Sequence, residues 1–431
     1  MKREYLCFLV FLLFAFSALY AIDDQVYLTI SRQGSGKTPV GLMNTIDRAE
    51  GKMTGLTKEC DNILGFDLSV LGYFDVYREN ELTEEEKMDK NHIKDDPSYH
   101  TRLRAVIFAY IEESRGGDIS LYGFVRDPFS GERLISKKYS GPAKNFRRLV
   151  HTFSDDITYA LTGEEGIANS KITAVWVKDN SKEIIIMDYD GRNMMQVTSD
   201  GSISSSPRLS DDQKQLVYIS YKDGYPNLFL RNMETGDTRK ITRSRYTKSS
   251  PAFSSDGKKI AFAMSINNNT DIYLIQDLST KQAERITTAR SIETSPCFSP
   301  NDRNIVYTSD RAGIPNIYIM DAGGSNSRRL TYGGQYYESP SWSSCGNYIA
   351  FVSMNYGRFD VFTMNIDGSS PRRLTHLQGS NEDPSFSPRG RLIVYSSKEK
   401  GSIRLFLTNT EAEFNIPITD NNMNIIQPHW K

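Results

Sequence analysis

The segment 31–38 is the part of the chain that comes nearest to a phosphate-binding motif. It reads Ser-Arg-Gln-Gly-Ser-Gly-Lys-Thr and follows an apolar run. In a P-loop, glycine-rich backbone N–H groups wrap a phosphate and the lysine meets its charge, and a helix begins at that lysine. Here Ser31 replaces the first glycine, and Pro39 and Gly41 stand where the helix has to begin. The pattern favours a Gly/Ser turn that leads into a strand, not a nucleotide site.

The five histidines are scattered, and no pair has the spacing of metal ligands. His151 stands four residues before Asp155 on a predicted helix, which is typical of a solvated pair, and His429 in the last strand is predicted to be structural. The sequence has no Gly-x-Ser-x-Gly elbow. We therefore expect no catalytic residues, no cofactor and no metal, and the protein is not predicted to be an enzyme.

The cysteines and the overall charge narrow the function further. Cys60, Cys297 and Cys345 follow the N-terminal segment as an odd set without a Cys-x-x-Cys pair, so we expect buried or turn thiols. Lys and Arg number 52 against 53 Asp and Glu, which offers no electrostatic case for nucleic acid.

The chain from about residue 172 is organised by two repeated phrases. A Ser-Pro-x-aromatic-Ser phrase recurs with prolines 44, 45, 44, 44 and 44 residues apart, and an aliphatic residue followed by threonine recurs at the same period. The prolines are Pro207, Pro251, Pro296, Pro340, Pro384 and Pro428. Six copies at this period predict a WD40-like propeller with one blade per repeat.

One period supports that reading. Between residues 250 and 287 we predict four short strands separated by turns, the first starting at Pro251, and no helical periodicity. The first repeat lacks its proline strand, and the chain ends on Pro428-His429-Trp430. The C-terminal strand is therefore expected to complete the first blade and close the ring, which leaves no open sheet edge.

The chain before the repeats divides into two parts. Residues 1–21 carry Lys2, Arg3 and an apolar stretch with a cleavage site after Ala21, which is typical of a signal peptide. Residues 22–165 are predicted to form a two-layer α+β domain with two amphipathic helices, and the charged run 79–96 receives no function. The predicted fold is thus this α+β domain followed by an all-β six-bladed β-propeller over residues 170–431, closed by the C-terminal strand.

The chain resembles the TolB family, the periplasmic propellers of the Tol-Pal envelope system. The resemblance rests on residues 63–74 (Ile-Leu-Gly-Phe-Asp-Leu-Ser-Val-Leu-Gly-Tyr-Phe), on residues 146–151, on the six repeats, and most specifically on the link Leu-Thr-Gly-Glu-Glu-Gly-Ile at 161–167. It implies a periplasmic adaptor that keeps the outer membrane intact and supports its constriction during cell division, and it connects the protein with protein import.

The resemblance also implies two protein partners. One face of the propeller would bind Pal, the peptidoglycan-associated lipoprotein, through loops that lead into the Ser-Pro strands. The residues assigned to that face are Arg245, Tyr246, Thr247, Arg290, Glu293, Thr294, Tyr336, Tyr337, Glu338, Asn381 and Glu382. The start of the mature chain would bind TolA through Asp24, Gln25, Val26, Tyr27 and Leu28.

Several loop residues are of the types enriched at binding hot spots, above all the tyrosines and arginines. We expect a monomer that is peripheral to membranes and binds no nucleic acid. The alternative is an envelope propeller that binds a small ligand or a polysaccharide in its central channel.

Overall fold

The structure is a computed structural model. It describes residues 36–48, 53–87, 101–114, 116–280, 282–333, 335–376 and 379–431. Among these residues, no helix is both long and apolar enough to span a bilayer. The predicted signal peptide and residues 24–28 lie outside the described residues.

The N-terminal part is a sheet covered by two long helices. Its elements are β1 (Thr38–Leu42), β2 (Ile46–Asp47), α1 (Thr54–Val70), β3 (Phe74–Arg78), α2 (Glu84–Lys87), β4 (Ala105–Glu113), β5 (Asp118–Arg126), β6 (Arg133–Pro142) and α3 (Phe146–Thr162). The sheet order is β3-β1-β4-β5-β6, with β2 beside β4. The helices α1 and α3 share one apolar core with the sheet, and Phe153 of α3 lies so close to Gly123 of β5 that a β-carbon there would sit 2.5 Å from its ring. A glycine on the strand is what lets this helix pack closely.

The rest of the chain forms six four-stranded sheets, which confirms the six-bladed propeller. Blade 1 contains β7 (Lys171–Val177), β8 (Lys182–Asp188) and β9 (Met195–Gln196); blade 2 contains β10 (Ser204–Leu209), β11 (Gln215–Ser220), β12 (Asn227–Asn232) and β13 (Thr238–Lys240); blade 3 contains β14 (Thr247–Phe253), β15 (Ile260–Ile266), β16 (Asn269–Ile275) and β17 (Ala283–Arg285). Blade 4 contains β18 (Glu293–Phe298), β19 (Asn304–Ser309), β20 (Asn316–Asp321) and β21 (Arg328–Arg329); blade 5 contains β22 (Tyr337–Trp342), β23 (Tyr348–Asn355), β24 (Arg358–Asn365) and β25 (Arg372–Arg373); blade 6 contains β26 (Ser380–Phe386), β27 (Leu392–Glu399), β28 (Ser402–Asn409) and β29 (Asn415–Pro417); β30 (Asn424–Trp430) returns to blade 1.

The ring closes as the sequence predicts. Strand β30 pairs antiparallel with β7, so that Trp430 lies opposite Ile172, and the Lys171 amide donates to the Lys431 carbonyl at 2.6 Å. Trp430 is buried, and its indole Nε1 donates to the Ser170 hydroxyl at 2.7 Å. The polar edge of the indole is therefore satisfied inside the core.

The prediction that each inner strand starts at its proline is wrong. Strand β14 begins at Thr247, and the pairing with the second strand skips at the Ser-Pro step, so the proline lies within a β-bulge. The residue before the proline has a positive φ in all six blades: Ser206, Ser250, Ser295, Ser339, Asp383 and Gln427, with φ between 49° and 55°. A bulge tolerates a proline inside a strand because it needs no ladder hydrogen bond there.

The second repeated phrase has a structural role that the sequence analysis did not identify. Its threonine is Thr198, Thr242, Thr287, Thr331, Thr375 or Thr419, and in every blade the hydroxyl accepts from a backbone N–H of the third strand at 2.8–3.0 Å. In blade 3, for example, Thr287 accepts from the Ile272 amide and also donates to Asp271 at 3.4 Å. The short outer strand is thus tied to its neighbour by a buried side chain.

The two parts of the chain meet on one side of the ring. We call this side the proximal face; there the inner strands end and α1 packs against blades 1 and 6 through a shared apolar cluster that includes Leu71 and Tyr189. Helix α3 contacts blade 1 through the ion pair of Arg147 with Asp190. We call the opposite side the distal face; it is formed by the loops that enter the inner strands and by the turns between second and third strands.

His151 contradicts the prediction of a solvated pair with Asp155. It is buried at the proximal face, where its Nδ1 lies 2.8 Å from Asp67 on α1, and Asp67 also accepts from the Tyr189 hydroxyl at 2.7 Å. Asp155 instead accepts from the Ala168 amide at 2.8 Å. His151 and Asp155 do lie on one helix, but the partner of His151 comes from another helix.

Candidate functional site

The distal face carries most of the exposed large apolar side chains of the ring. They are Ile203, Tyr221, Tyr225, Tyr246, Ile292, Tyr332, Met354 and Tyr356. Tyr332 is 69% exposed and Tyr356 is 97% exposed, although both are aromatic. Grouped exposed aromatic residues mark interaction surfaces on soluble proteins, and tyrosine is enriched among binding hot spots.

Four of the predicted docking residues lie open on this face. Arg245, Tyr246 and Thr247 are exposed where the chain enters β14, and Arg290 is exposed in the loop before β18. These side chains can reach a partner without a change in the fold.

Tyr336 and Tyr337 are half-buried, and the hydroxyl of each is already engaged in a hydrogen bond within the protein. The Tyr336 hydroxyl donates to Glu338 at 3.0 Å, and the Tyr337 hydroxyl donates to the Tyr332 carbonyl at 2.9 Å. Burial, and then the charge of Glu338, raises the pKa of Tyr336 to about 12, so this hydroxyl stays protonated and keeps donating. The Tyr337 ring also packs edge-on against Phe351, with 5.9 Å between ring centroids.

Two predicted residues lie beneath the face. Glu293 is fully buried and forms an ion pair with Arg311, whose guanidinium lies 4.7 Å from the Tyr318 ring centroid. Asn381 is also buried and donates to Asp360 at 3.2 Å. In this structure both residues support the face from inside.

Three carboxylates, Glu338, Glu382 and Asp383, lie near one another on the inner strands of blades 5 and 6. Burial, and then the charge of Glu382, raises the pKa of Asp383 to about 6, although the guanidinium of Arg208 opposes the shift. Burial also raises the pKa of Glu338, with a further contribution from Glu382. In blade 4, Thr294 occupies the repeat position that Glu338 has in blade 5, and it is half-buried.

The turns between second and third strands also carry exposed apolar side chains, and none of these residues was among the predicted docking residues. Tyr221 and Tyr225 flank the turn of blade 2, and Met354 and Tyr356 lie at the turn of blade 5. Their signal in the sequence is a tyrosine beside a glycine turn, which lies outside the repeated Ser-Pro phrase. The exposed aromatic surface of the distal face is therefore wider than the predicted set of docking residues.

The central channel encloses a cavity of about 510 Å³ lined by the inner strands of all six blades. Four pairs of neighbouring inner strands are joined around the channel, because the side chain of the residue after the proline accepts a backbone N–H from the next blade. The donors and acceptors are Leu209 with His429, Trp342 with Cys297, Phe386 with Ser341, and Trp430 with Ser385.

His429 and Arg208 show two outcomes at the same repeat position. Burial, followed by the charges of Arg208 and Lys431, keeps the pKa of His429 well below its usual range, so the neutral ring can accept the Leu209 N–H at 3.1 Å. Arg208 has only donors, and its guanidinium turns to the Pro207 carbonyl at 2.8 Å. The structural role predicted for His429 agrees with this contact.

The phosphate-binding alternative receives no support from the described part of segment 31–38. No helix begins at Lys37; strand β1 starts at Thr38 instead. The Lys37 ammonium lies 3.6 Å from Glu413 of blade 6.

The protein is thus a six-bladed β-propeller with an α+β layer on its proximal side. A family model described as the TolB beta propeller domain matches residues 159–431. The chain belongs to the TolB family.

Individual relatives agree with this assignment. The chain is 33% identical over 162 residues to a Protein TolB homolog of Chlorobium chlorochromatii and 31% identical over 217 residues to one of Chlorobium luteolum. These matches span 38% and 50% of this chain, and 36% and 49% of the relatives' own lengths, so less than two thirds of either relative is matched. The crystal structure of TolB from Acinetobacter baumannii superimposes with a TM-score of 0.78 at 27% identity and covers 92% of this chain and 96% of that one.

Proposed function

We propose that this protein is a non-enzymatic adaptor of the Tol-Pal system in the periplasm, which binds Pal through the distal face and TolA through its N-terminal residues. The observation that carries the proposal is the group of exposed tyrosines on the distal face of a TolB-family propeller. In this role the protein helps to keep the outer membrane attached and to constrict it during division.

The distal face suits a folded protein partner. Its exposed aromatic residues are distributed over several blades. The carboxylates Glu338, Glu382 and Asp383 and the half-buried Tyr336 and Tyr337 lie nearer the channel, on the inner strands and the loop that enters them. An interface of standard size needs about 800 Å² from each partner. One face of a propeller can offer that area, while the loops stay fixed by the sheets below them.

The test is calorimetric titration of this protein with the soluble domain of Pal from the same organism. We expect one-to-one binding that is weakened about tenfold or more when Tyr246, Tyr332 and Tyr356 are changed together to alanine. These three side chains are exposed, so their removal leaves the core intact. Tyr336 and Tyr337 are avoided because their contacts support the fold.

The matched control is a double variant, Tyr348→Ala and Ile366→Ala. Both side chains are exposed large apolar groups of blade 5 on its proximal side. This variant should bind Pal like the unchanged protein. Equal binding by the triple variant and the wild type would move the interface away from the distal face, and no binding by the wild type would reject Pal as the partner.

The TolA assignment concerns residues 24–28, which lie outside the described residues. We expect that scrambling the order of Asp24, Gln25, Val26, Tyr27 and Leu28 abolishes binding of the soluble domain of TolA and leaves Pal binding intact. Retained TolA binding would contradict the assignment. Mass spectrometry of the exported protein would show whether cleavage follows Ala21.

A second candidate function is the binding of a small ligand or a polysaccharide in the channel. The cavity of about 510 Å³ favours it, because Phe253 and Trp342 offer apolar surface and Arg208 offers a charged donor inside one space. Small-molecule sites commonly have this size and mixture. Saturable binding of an oligosaccharide that is lost on Trp342→Ala, with no binding of Pal, would favour this function.

A further inference from the structure

A second cluster of chemically capable side chains lies between the α+β layer and blade 1, far from the distal face. His151 on α3 lies beside Asp188 at the end of β8 and Asp190 in the turn that follows β8. One ligand atom from each of these three residues lies within 4.8 Å of the other two. The residues come from both parts of the chain, so only the folded protein brings them together.

The imidazole is oriented in the way that metal-ligating histidines are. Its Nδ1 lies 2.8 Å from the carboxylate of Asp67, and its Nε2 is buried without a hydrogen-bond partner on a side chain that is 2% exposed. Ligating histidines usually donate their second ring N–H to a carboxylate, which fixes the tautomer and leaves the other nitrogen's lone pair for the metal. Asp67 is fixed in turn by the Tyr189 hydroxyl at 2.7 Å.

The charge of the cluster also favours a cation. Its carboxylates are Glu59, Asp67, Asp188 and Asp190, and the cations that contact them are Arg147 and Lys171. Four negative charges thus face two positive charges when His151 is neutral, which is the form that can ligate a metal, and three when it is protonated. Asp67 and Asp188 are buried, and buried charge is costly unless it is compensated. One divalent cation balances the excess that is present when His151 is neutral.

We propose that His151, Asp188 and Asp190 form a binding site for a divalent transition-metal ion of the zinc type, which ties the α+β layer to the propeller. A site with one imidazole and two carboxylates suits Zn²⁺, whereas Mg²⁺ and Ca²⁺ prefer oxygen ligands alone. This proposal departs from our expectation that the protein has no metal site.

Arg147 is the competitor for this site. Its guanidinium is paired with Asp190, lies 3.5 Å from Asp188, and reaches Glu59 at 3.1 Å. When the metal binds, the guanidinium keeps Glu59 and leaves the two aspartates. Lys171 contacts the other oxygen of Asp188 and can stay in place. The Asn193 amide donates at 2.7 Å to the same Asp188 oxygen that Arg147 faces and would share that oxygen with the metal.

The experiment is titration of Zn²⁺ into the metal-free, untagged full chain at pH 7.5, by calorimetry and by the visible absorption of Co²⁺ used in place of zinc. We expect one high-affinity ion per chain and a Co²⁺ spectrum of low coordination number. His151→Asn and Asp190→Asn should each weaken binding at least about tenfold. Ca²⁺ and Mg²⁺ should not compete.

Two kinds of control make the result decisive. His376→Asn and Asp179→Asn change exposed residues of the same types, and they should leave zinc affinity unchanged. Arg147→Met removes the competing cation and should tighten zinc binding. Asp190 lies in a turn, so Asp190→Asn still tests the metal site if His151→Asn fails to fold. The proposal is wrong if zinc does not bind, if binding survives both site variants, or if Arg147→Met weakens it.

Discussion

At the scale of single residues, each blade is stabilised by one threonine that occupies the same place in every repeat and is buried in five of the six blades. Its hydroxyl accepts the N–H of a third-strand residue that the short outer strand leaves unpaired. An unsatisfied buried donor costs more than the bond itself contributes, because the group has lost water and gained nothing. This cost explains why the threonine recurs with the proline.

Thr287→Val tests that role. The variant keeps the shape of the side chain but leaves the Ile272 amide without its acceptor at 2.9 Å, so we expect a loss of about 1–3 kcal/mol in the free energy of unfolding. The neighbouring Thr288 is exposed, and Thr288→Val should change stability by less than about 0.5 kcal/mol. Urea denaturation of both variants provides the measurement; equal losses would show that the hydroxyl is not responsible.

Asp383 allows a prediction about pH. Its pKa is raised to about 6 in the folded protein, chiefly by burial, whereas an unfolded aspartate titrates near 3.9. The folded state therefore binds more protons between about pH 4 and 6, and this residue's contribution to stability falls as the pH rises through that window.

We expect Asp383→Asn to stabilise the protein by about 1–2 kcal/mol at pH 7.5 and to have little effect near pH 4, where the aspartate is protonated. Asparagine also tolerates the positive φ of 55° at this position. The measurement is the difference in melting temperature between the variant and the wild type from pH 4 to 7.5. A difference that does not grow with pH would contradict the raised pKa.

At the scale of elements, the inner strands combine three roles at one place. The bulge lets proline stand inside a strand, and the residue before it adopts a conformation that costs of order 1 kcal/mol for a non-glycine residue. In four of the six blades the residue after the proline accepts a hydrogen bond from the next blade. Six repeats accept that cost at φ values within a few degrees of one another. Hydrogen bonds that join neighbouring blades offset part of this strain.

The closing strand is the element on which the ring depends. Trp430 is buried and stacks on Tyr189 with 5.8 Å between ring centroids. We expect Trp430→Ala to cost about 3–5 kcal/mol in unfolding free energy. Trp342 has the same repeat position in blade 5 but is only half-buried, so Trp342→Ala should cost clearly less. Equal losses of stability in the two variants, measured by thermal unfolding, would show that closure of the ring contributes no stability of its own.

The sequence predicted the elements of the ring and its closure because the repeat shows them six times. It could not predict the bulge, since strand starts depend on pairing and not on the proline alone. It also missed the partner of His151, because Asp67 is 84 residues away in the chain and only packing of α1 on α3 brings the two together. Glu293 and Asn381 were assigned to a surface by position in a loop, yet both are buried.

At the scale of the whole molecule, the two faces of the ring have different contents. The distal face presents exposed tyrosines, whereas the proximal face is covered over blades 1 and 6 by the α+β layer. The apolar cluster at the junction includes residues from both parts, and the Tyr189 hydroxyl crosses it to reach Asp67. We therefore expect the two parts to unfold as one cooperative unit.

Tyr189→Phe tests this cooperativity. The change removes one hydroxyl from a fully buried ring and leaves the Asp67 carboxylate with one donor fewer, which costs about 1.5–3 kcal/mol because the acceptor is charged. The loss falls on the junction alone, so scanning calorimetry of the metal-free protein should show the single wild-type transition split or broaden. Tyr395→Phe is the matched control, since that buried hydroxyl donates at 2.7 Å to Asn415 within blade 6. It should lower the melting temperature without splitting the transition; identical traces for the two variants would mean that Tyr189 does not couple the α+β layer to the propeller.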